Sequence, residues 1–189
     1  MATVSIDPNE NASSPDIRKA KDALLALNEE LLEKIAAIPS DTPIVMADGK
    51  ALSGDDVRRL WDKVKFVVTT KSFGPGYGGS FDYASGTSYI RADTVTGWDL
   101  FPSGGEFITL HELIHSCDHG EAVRQAMWTK YYNENKDKPD YAAKYRDTAE
   151  FSEVEEYCYF GARAIMRQLG IADFEGTFDH GYEYGDLDV

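Results

Sequence analysis

The sequence predicts an α+β fold in a single domain. Short β-patterned runs sit in the first half, at 43–50, 65–70 and 80–92, while a helical apolar period holds from residue 104 to about Leu169. No internal repeat divides the chain. Its 189 residues suit one domain, and an apolar fraction of 42% is enough to build a core.

The elements follow in order. Residues 1–13 are polar and are expected to form a disordered leader, with 14–189 as one domain. Ser14-Pro15-Asp16 reads as a helix start: a capping serine, proline at the first helical position and an acid in the first turn. Ile17, Ala20, Leu24, Leu27, Leu31, Leu32 and Ile35 then keep helical spacing. "PIVMADGK" (43–50) predicts a short strand closed by an Asp-Gly turn. "SGDDVRRLWDKV" (53–64) predicts a helix and "KFVVTT" (65–70) a strand. The glycine-rich "SFGPGYGG" (72–79) is a loop, and it lacks the lysine and following helix of a phosphate cradle. "SFDYASGTSYIRA" (80–92) alternates around Ser85-Gly86 like a β-hairpin. The later helical region is interrupted near "NKDKPD" (135–140).

Composition narrows the function classes. A net charge of −14, from 33 acids against 19 bases, argues against binding a nucleic-acid backbone or an anionic membrane surface. No run is apolar and long enough for a membrane span, and "MATVSIDPNENASSP" has no apolar signal core. Two cysteines make no disulfide framework, so reduced thiols and a cytoplasmic setting are expected.

The chemistry concentrates in "EFITLHELIHSCDHG" (106–120). His111 and His115 are four residues apart, so on a helix they share one face and can offer two imidazoles to one metal ion. Glu112 lies about 100° further round, where it can reach a metal-held water without binding the metal. Such a carboxylate is placed to act as general base on a water whose pKa zinc lowers toward ~7. Phe107, Ile108, Leu110, Leu113 and Ile114 make this helix apolar on most sides, so buried imidazoles and a glutamate there need something to satisfy them. A bare match to this pattern is moderately specific, and the alternative is an ordinary helix that spells it by accident.

Catalytic zinc usually takes a third protein ligand. "DTAEFSEVEEYCYFGARAIMRQLGI" (147–171) carries four glutamates. Glu153 and Glu156 point away from its apolar stripe of Phe151, Val154, Cys158, Ala162, Ile165 and Leu169, and are read as solvated. Glu155 shares a face with the small residues Cys158 and Ala162, which lets another helix approach. Glu150 flanks the stripe on the other side. Each glutamate also has a capping role open to it, Glu155 with Ser152 and Glu150 with Asp147. His119, two turns beyond His111, is a further candidate ligand, set against a helix-end or substrate-contact role. Cys117 and Cys158 read as core residues in preference to zinc thiolates.

The stretch "SYIRADTVTGWDLFPSGGEFITLHELIHS" resembles the C-terminal zincin domain of ArdC-type antirestriction proteins and related small gluzincins, and "EVEEYCYFGARAIMRQLGI" is similar to that family's second motif. The resemblance covers roughly residues 80–171 and places the family's ligand glutamate on Glu155. It implies a small zincin-like fold: a short, mostly antiparallel sheet, an active-site helix carrying His-Glu-x-x-His and a C-terminal glutamate-bearing helix. It implies Zn2+ as cofactor and a zinc metallopeptidase acting on a peptide or protein substrate. The chain departs from the family at Tyr159, where the family has an acid, and no counterpart of the family's DNA-binding N-terminal domain is visible. Antirestriction is therefore not carried over.

The tail "GTFDHGYEYG" (176–185) is similar to a Gly-Thr-x-Asp-x-x-Tyr motif of aspzincins, which nominates Asp179 as an alternative ligand. Gluzincins stabilise the oxyanion with a tyrosine or histidine, which nominates His180, Tyr182 and Tyr184, each set against a packed aromatic tail. The expected activity is zinc-dependent peptide hydrolysis with Glu112 as general base. The alternative is a non-catalytic zincin-like metal-binding or protein-interaction module. An effector role stays open, while substrate, cleavage preference and oligomeric state are not set by the sequence.

Overall fold

The computed structural model describes residues 2–73, 78–98 and 103–172. Helix α1 (Pro15–Ala36) begins where its sequence predicts, with Pro15 as first helical residue, but Ser14, extended at the cap position, makes no side-chain cap hydrogen bond. Its buried face is Ile17, Ala20, Leu24, Asn28, Leu31 and Ile35. Strands β2 (Ile44–Val45) and β3 (Ala51–Leu52) pair antiparallel across the Asp48-Gly49 turn, where Gly49 takes a φ of +77°. Helix α2 (Gly54–Lys63) is closed by a capping box in which Ser53 and Asp56 satisfy each other's backbone N–H.

The main sheet holds β1 (Thr3–Ile6), β4 (Lys65–Thr69), β5 (Gly79–Asp82) and β6 (Thr87–Arg91), in the order β1-β4-β6-β5. Two expectations are corrected here. Part of the leader is ordered: Thr3–Ile6 run parallel to β4 in register Thr3↔Lys65, and Val4 and Ile6 pack against the core. The sheet is also mixed, not mostly antiparallel, since β1–β4 and β4–β6 are parallel and β5–β6 alone is antiparallel. The physical reason is visible in β4, where Phe66, Val67, Val68 and Thr69 are all buried. A strand covered on both faces gives a continuous apolar run, typical of a parallel neighbourhood. The β5–β6 pair is the hairpin expected at 80–92.

After the sheet come α3 (Ala92–Gly97), α4 (Gly104–His115), α5 (Asp118–Asn135), α6 (Tyr141–Lys144), a 3-10 turn over Tyr145–Asp147, and α7 (Ala149–Gln168). The break between α5 and α6 falls at the predicted interruption; α3 was not legible as a helix. Helix α7 packs against both α4 and α5. Phe107, Leu110, Leu113 and Ile114 of α4 and Cys158, Ala162 and Ile165 of α7 are fully buried. Gly161 sets how closely these layers meet, because a Cβ there would come within 2.4 Å of Met46 Cε and 3.1 Å of Ile114 Cγ1. Among the described residues no helix is long and apolar enough to cross a membrane.

Candidate metal centre

Helix α4 is buried almost all round, and the apolar side chains that bury it also fix its rotation. His111 and His115 thereby turn one shared face toward α7. Glu155 meets them from α7, two turns before Ala162, on the side where small residues let the helices close. The ligand atoms of His111, His115 and Glu155 all lie within 4.8 Å of one another. His111 Nε2 is 3.2 Å from Glu155 Oε2 and 3.2 Å from His115 Nε2, and His115 Nε2 is 3.7 Å from Glu155 Oε1. Ligands of a tetrahedral zinc with bonds of ~2.0–2.1 Å stand about 3.3 Å apart. The three donors therefore fit a zinc ion in type and spacing.

Without a metal the same contacts hold a proton. Burial alone would lower the His115 pKa, but Cys158 and Glu155 beside it hold it well above the usual imidazole value. Burial alone would raise the pKa of Glu155, but His115 and His111 hold its carboxyl well below the usual carboxylate range. Glu112 behaves differently. Burial pushes it up to about 8, with His115 pulling down and Glu155 pushing up. It is 4% exposed, and its Oε2 has no hydrogen-bond partner among the described residues. Its other oxygen lies against β5, where a Cβ on Gly79 would sit 2.6 Å from Glu112 Oε1. Only glycine leaves room for this carboxylate.

His115 is held from behind. Its Nδ1 lies 2.9 Å from Tyr83 Oη and 3.2 Å from Cys158 Sγ. The ring of Phe81 stacks parallel to the imidazole at 6.3 Å. Tyr83 is itself covered by the Arg124 guanidinium, 4.2 Å above its ring, and Arg124 is clamped by Glu121 through two 2.7 Å bonds. Neither Tyr83 nor this use of Cys158 was legible in the sequence, although the burial expected for Cys158 is observed. Tyr159 packs edge-on against Phe107 at 5.1 Å, and the contacts that orient His115 come from the hairpin and Cys158.

The remaining candidates separate cleanly. Glu150 pairs with Lys130 at 3.0 Å, outside the cluster, and α7 is capped by Thr148 through the Phe151 N–H, so neither predicted capping box forms. His119 lies in the first turn of α5 and is not part of the cluster. Cys117 caps α5 by accepting from the Gly120 N–H at 3.1 Å. Asp179, His180, Tyr182 and Tyr184 lie outside the described residues.

Glu112, His115 and Glu155 open into a cleft of about 360 Å³, walled by β5, α5, the 3-10 turn and the start of α7. No family model matches the chain, and no curated protein or solved structure matches it either. The reading of the site therefore rests on its own residues.

Proposed function

We propose that this protein is a zinc-dependent metallopeptidase of gluzincin type. The observation that carries the reading is the convergence of His111, His115 and Glu155 within 4.8 Å, from two helices, beside a buried Glu112 carboxyl. His111, His115 and Glu155 would hold the ion. Bound zinc would supply the Lewis acidity that brings a water's pKa toward ~7 and polarises a carbonyl.

The chain's own residues do the rest. Glu112 takes a proton from the attacking water and passes it to the leaving amine. Its carboxylate lies against Gly79, where an added Cβ would come within 2.6 Å of Oε1. With a cation held by His111, His115 and Glu155, the Glu112 pKa would fall from the value of about 8 that burial imposes, leaving it ready as a base near neutral pH. The substrate would lie extended along β5, the edge strand at the end of the β1-β4-β6-β5 order, adding to the sheet by main-chain hydrogen bonds.

The decisive experiment uses Glu112→Gln. Glu112 is no ligand, so this variant should keep zinc and fold, while hydrolysis of denatured casein falls by about 10²–10⁴-fold. Equal rates in variant and parent would remove the catalytic role and leave metal binding as the function.

A further inference from the structure

The cleft beside the proposed metal site has a composition of its own. Trp128, Tyr145 and Phe151 line it and lock one another edge to face: Trp128 and Tyr145 at 4.8 Å and 83°, Tyr145 and Phe151 at 5.6 Å and 84°. The Tyr145 hydroxyl is shielded from water and has no partner among the described residues. On the β5 side, Phe81 lines the same cleft. The opening thus presents rigid aromatic faces, held before any ligand arrives.

Charge gives the second half. The protein carries −14 overall. Yet among the described residues, apart from Glu112, His115 and Glu155, the charged side chains lining the cleft are Arg124 and Arg146, both cationic. Both are braced. Arg124 uses Nε and Nη2 on Glu121, and Arg146 Nη1 donates to the Phe73 carbonyl at 2.5 Å. A guanidinium fixed in this way loses little side-chain entropy when it meets a carboxylate.

We infer that this cleft selects peptides by a large apolar side chain, aromatic above all, that packs on Trp128, Tyr145 and Phe151, with a carboxylate reaching Arg124 and Arg146. This rests on the metallopeptidase reading for the place of the scissile bond, beside Glu112. The carboxylate comes either from an acidic side chain or from the end of the peptide chain; the chemistry at the arginines is the same.

The test uses zinc-loaded full-length protein and N-acetylated, C-amidated octapeptides built on a glycine-alanine background. One position carries Phe, Leu, Ala or Lys, and a second carries Glu or Gln at varied separation. A parallel set ends in a free carboxylate. Cleavage is followed by mass spectrometry, and binding to the zinc-loaded Glu112→Gln protein by calorimetry. Phe and Leu peptides should exceed Ala by about tenfold or more in kcat/KM and in affinity. Either Glu over Gln or free acid over amide should add a further preference that fades at high salt and vanishes in Arg124→Gln. Glu-dependence assigns the carboxylate to a side chain, acid-over-amide dependence to the chain end. Trp128→Ala should flatten the Phe preference without removing zinc.

Cleavage with no preference for Phe over Ala, or with a preference for Lys over Glu, overturns the inference and leaves the metallopeptidase reading standing. Selective binding without any cleavage does the reverse. Absence of both binding and cleavage overturns both.

Discussion

The hydroxyl of Tyr83 lies 2.9 Å from Nδ1 of His115, so the turn of the β5–β6 hairpin touches a proposed ligand carried on α4. For Nε2 to offer its lone pair to a metal, the ring proton must sit on Nδ1, which then donates to Tyr83 Oη or to Cys158 Sγ. Removing the hydroxyl leaves the sulfur, 3.2 Å away, as the remaining acceptor. Tyr83→Phe should therefore weaken zinc binding by about 10-fold, and Tyr83→Phe with Cys158→Ala by up to about 100-fold. Competition with a chromogenic chelator measures both. Parent-like affinity in the double variant would show that His115 is oriented by packing against Phe81 alone.

The ligand set makes a prediction of its own. One zinc per chain is expected by elemental analysis, with binding abolished in His111→Ala and largely lost in Glu155→Gln. Glu150→Gln should bind zinc normally, because that carboxylate is occupied 3.0 Å from Lys130. A loss in Glu150→Gln that Glu155→Gln does not share would move the site.

The metal-free protein should become less stable as pH rises from about 5 to 8. Burial pushes the Glu112 pKa from its ordinary 4.5 up to about 8, so the folded state holds its proton more tightly. A carboxyl shifted upward stabilises below its unfolded pKa, and that contribution is lost as pH climbs through the window between the two values. His115 acts in the same direction: its raised pKa stabilises below about 6.5 and the effect is lost above that. Thermal melts in chelator should show the trend, Glu112→Gln should reduce it, and added zinc should raise Tm most at pH 8, where fewer protons compete for the ligands. A chelated protein whose Tm is flat across this range would contradict it.

Gly79→Ala should separate chemistry from metal binding. The added Cβ meets Glu112 Oε1 at 2.6 Å, a contact that moves the carboxylate and leaves His111, His115 and Glu155 in place. Zinc content should stay at the parent level while kcat falls by at least about 10-fold. An unchanged kcat would mean that Glu112 acts from another position.

Ser53→Ala serves as a control remote from the site. It removes the hydroxyl that accepts from the Asp56 N–H at the start of α2 and should cost about 1 kcal/mol. Ser53 is also the main cause that holds Asp56 down to about 2, so the parent's advantage should be present above about pH 4 and shrink as pH falls toward 2. Zinc affinity should not move.

What the sequence made legible follows from the range of each signal. His111, Glu112 and His115 stand on one helix, where periodicity alone sets their faces. Glu155 was legible because Cys158 and Ala162 mark the side on which α7 admits a neighbour, and both are fully buried there. Tyr83 was not, because its contact spans 32 residues between a hairpin and a helix, and no local pattern encodes it. Strand β1 was missed for a related reason. Four residues in a polar stretch carry little periodicity, and their partner β4 lies beyond α1 and α2. Parallel pairing across such a crossover is a property of the assembled fold.

His111 and Glu155 are 44 residues apart in the chain, and everything between them, including α5, α6 and the turn that joins them, forms a loop that one ion would tie shut. A bound zinc would then act as a removable cross-link. Closing a loop of that length in the unfolded chain is worth about 4 kcal/mol in the chain-entropy treatment applied to disulfides. Chelation would then act on the fold as well as on the site: it would free the α5–α6 excursion to open.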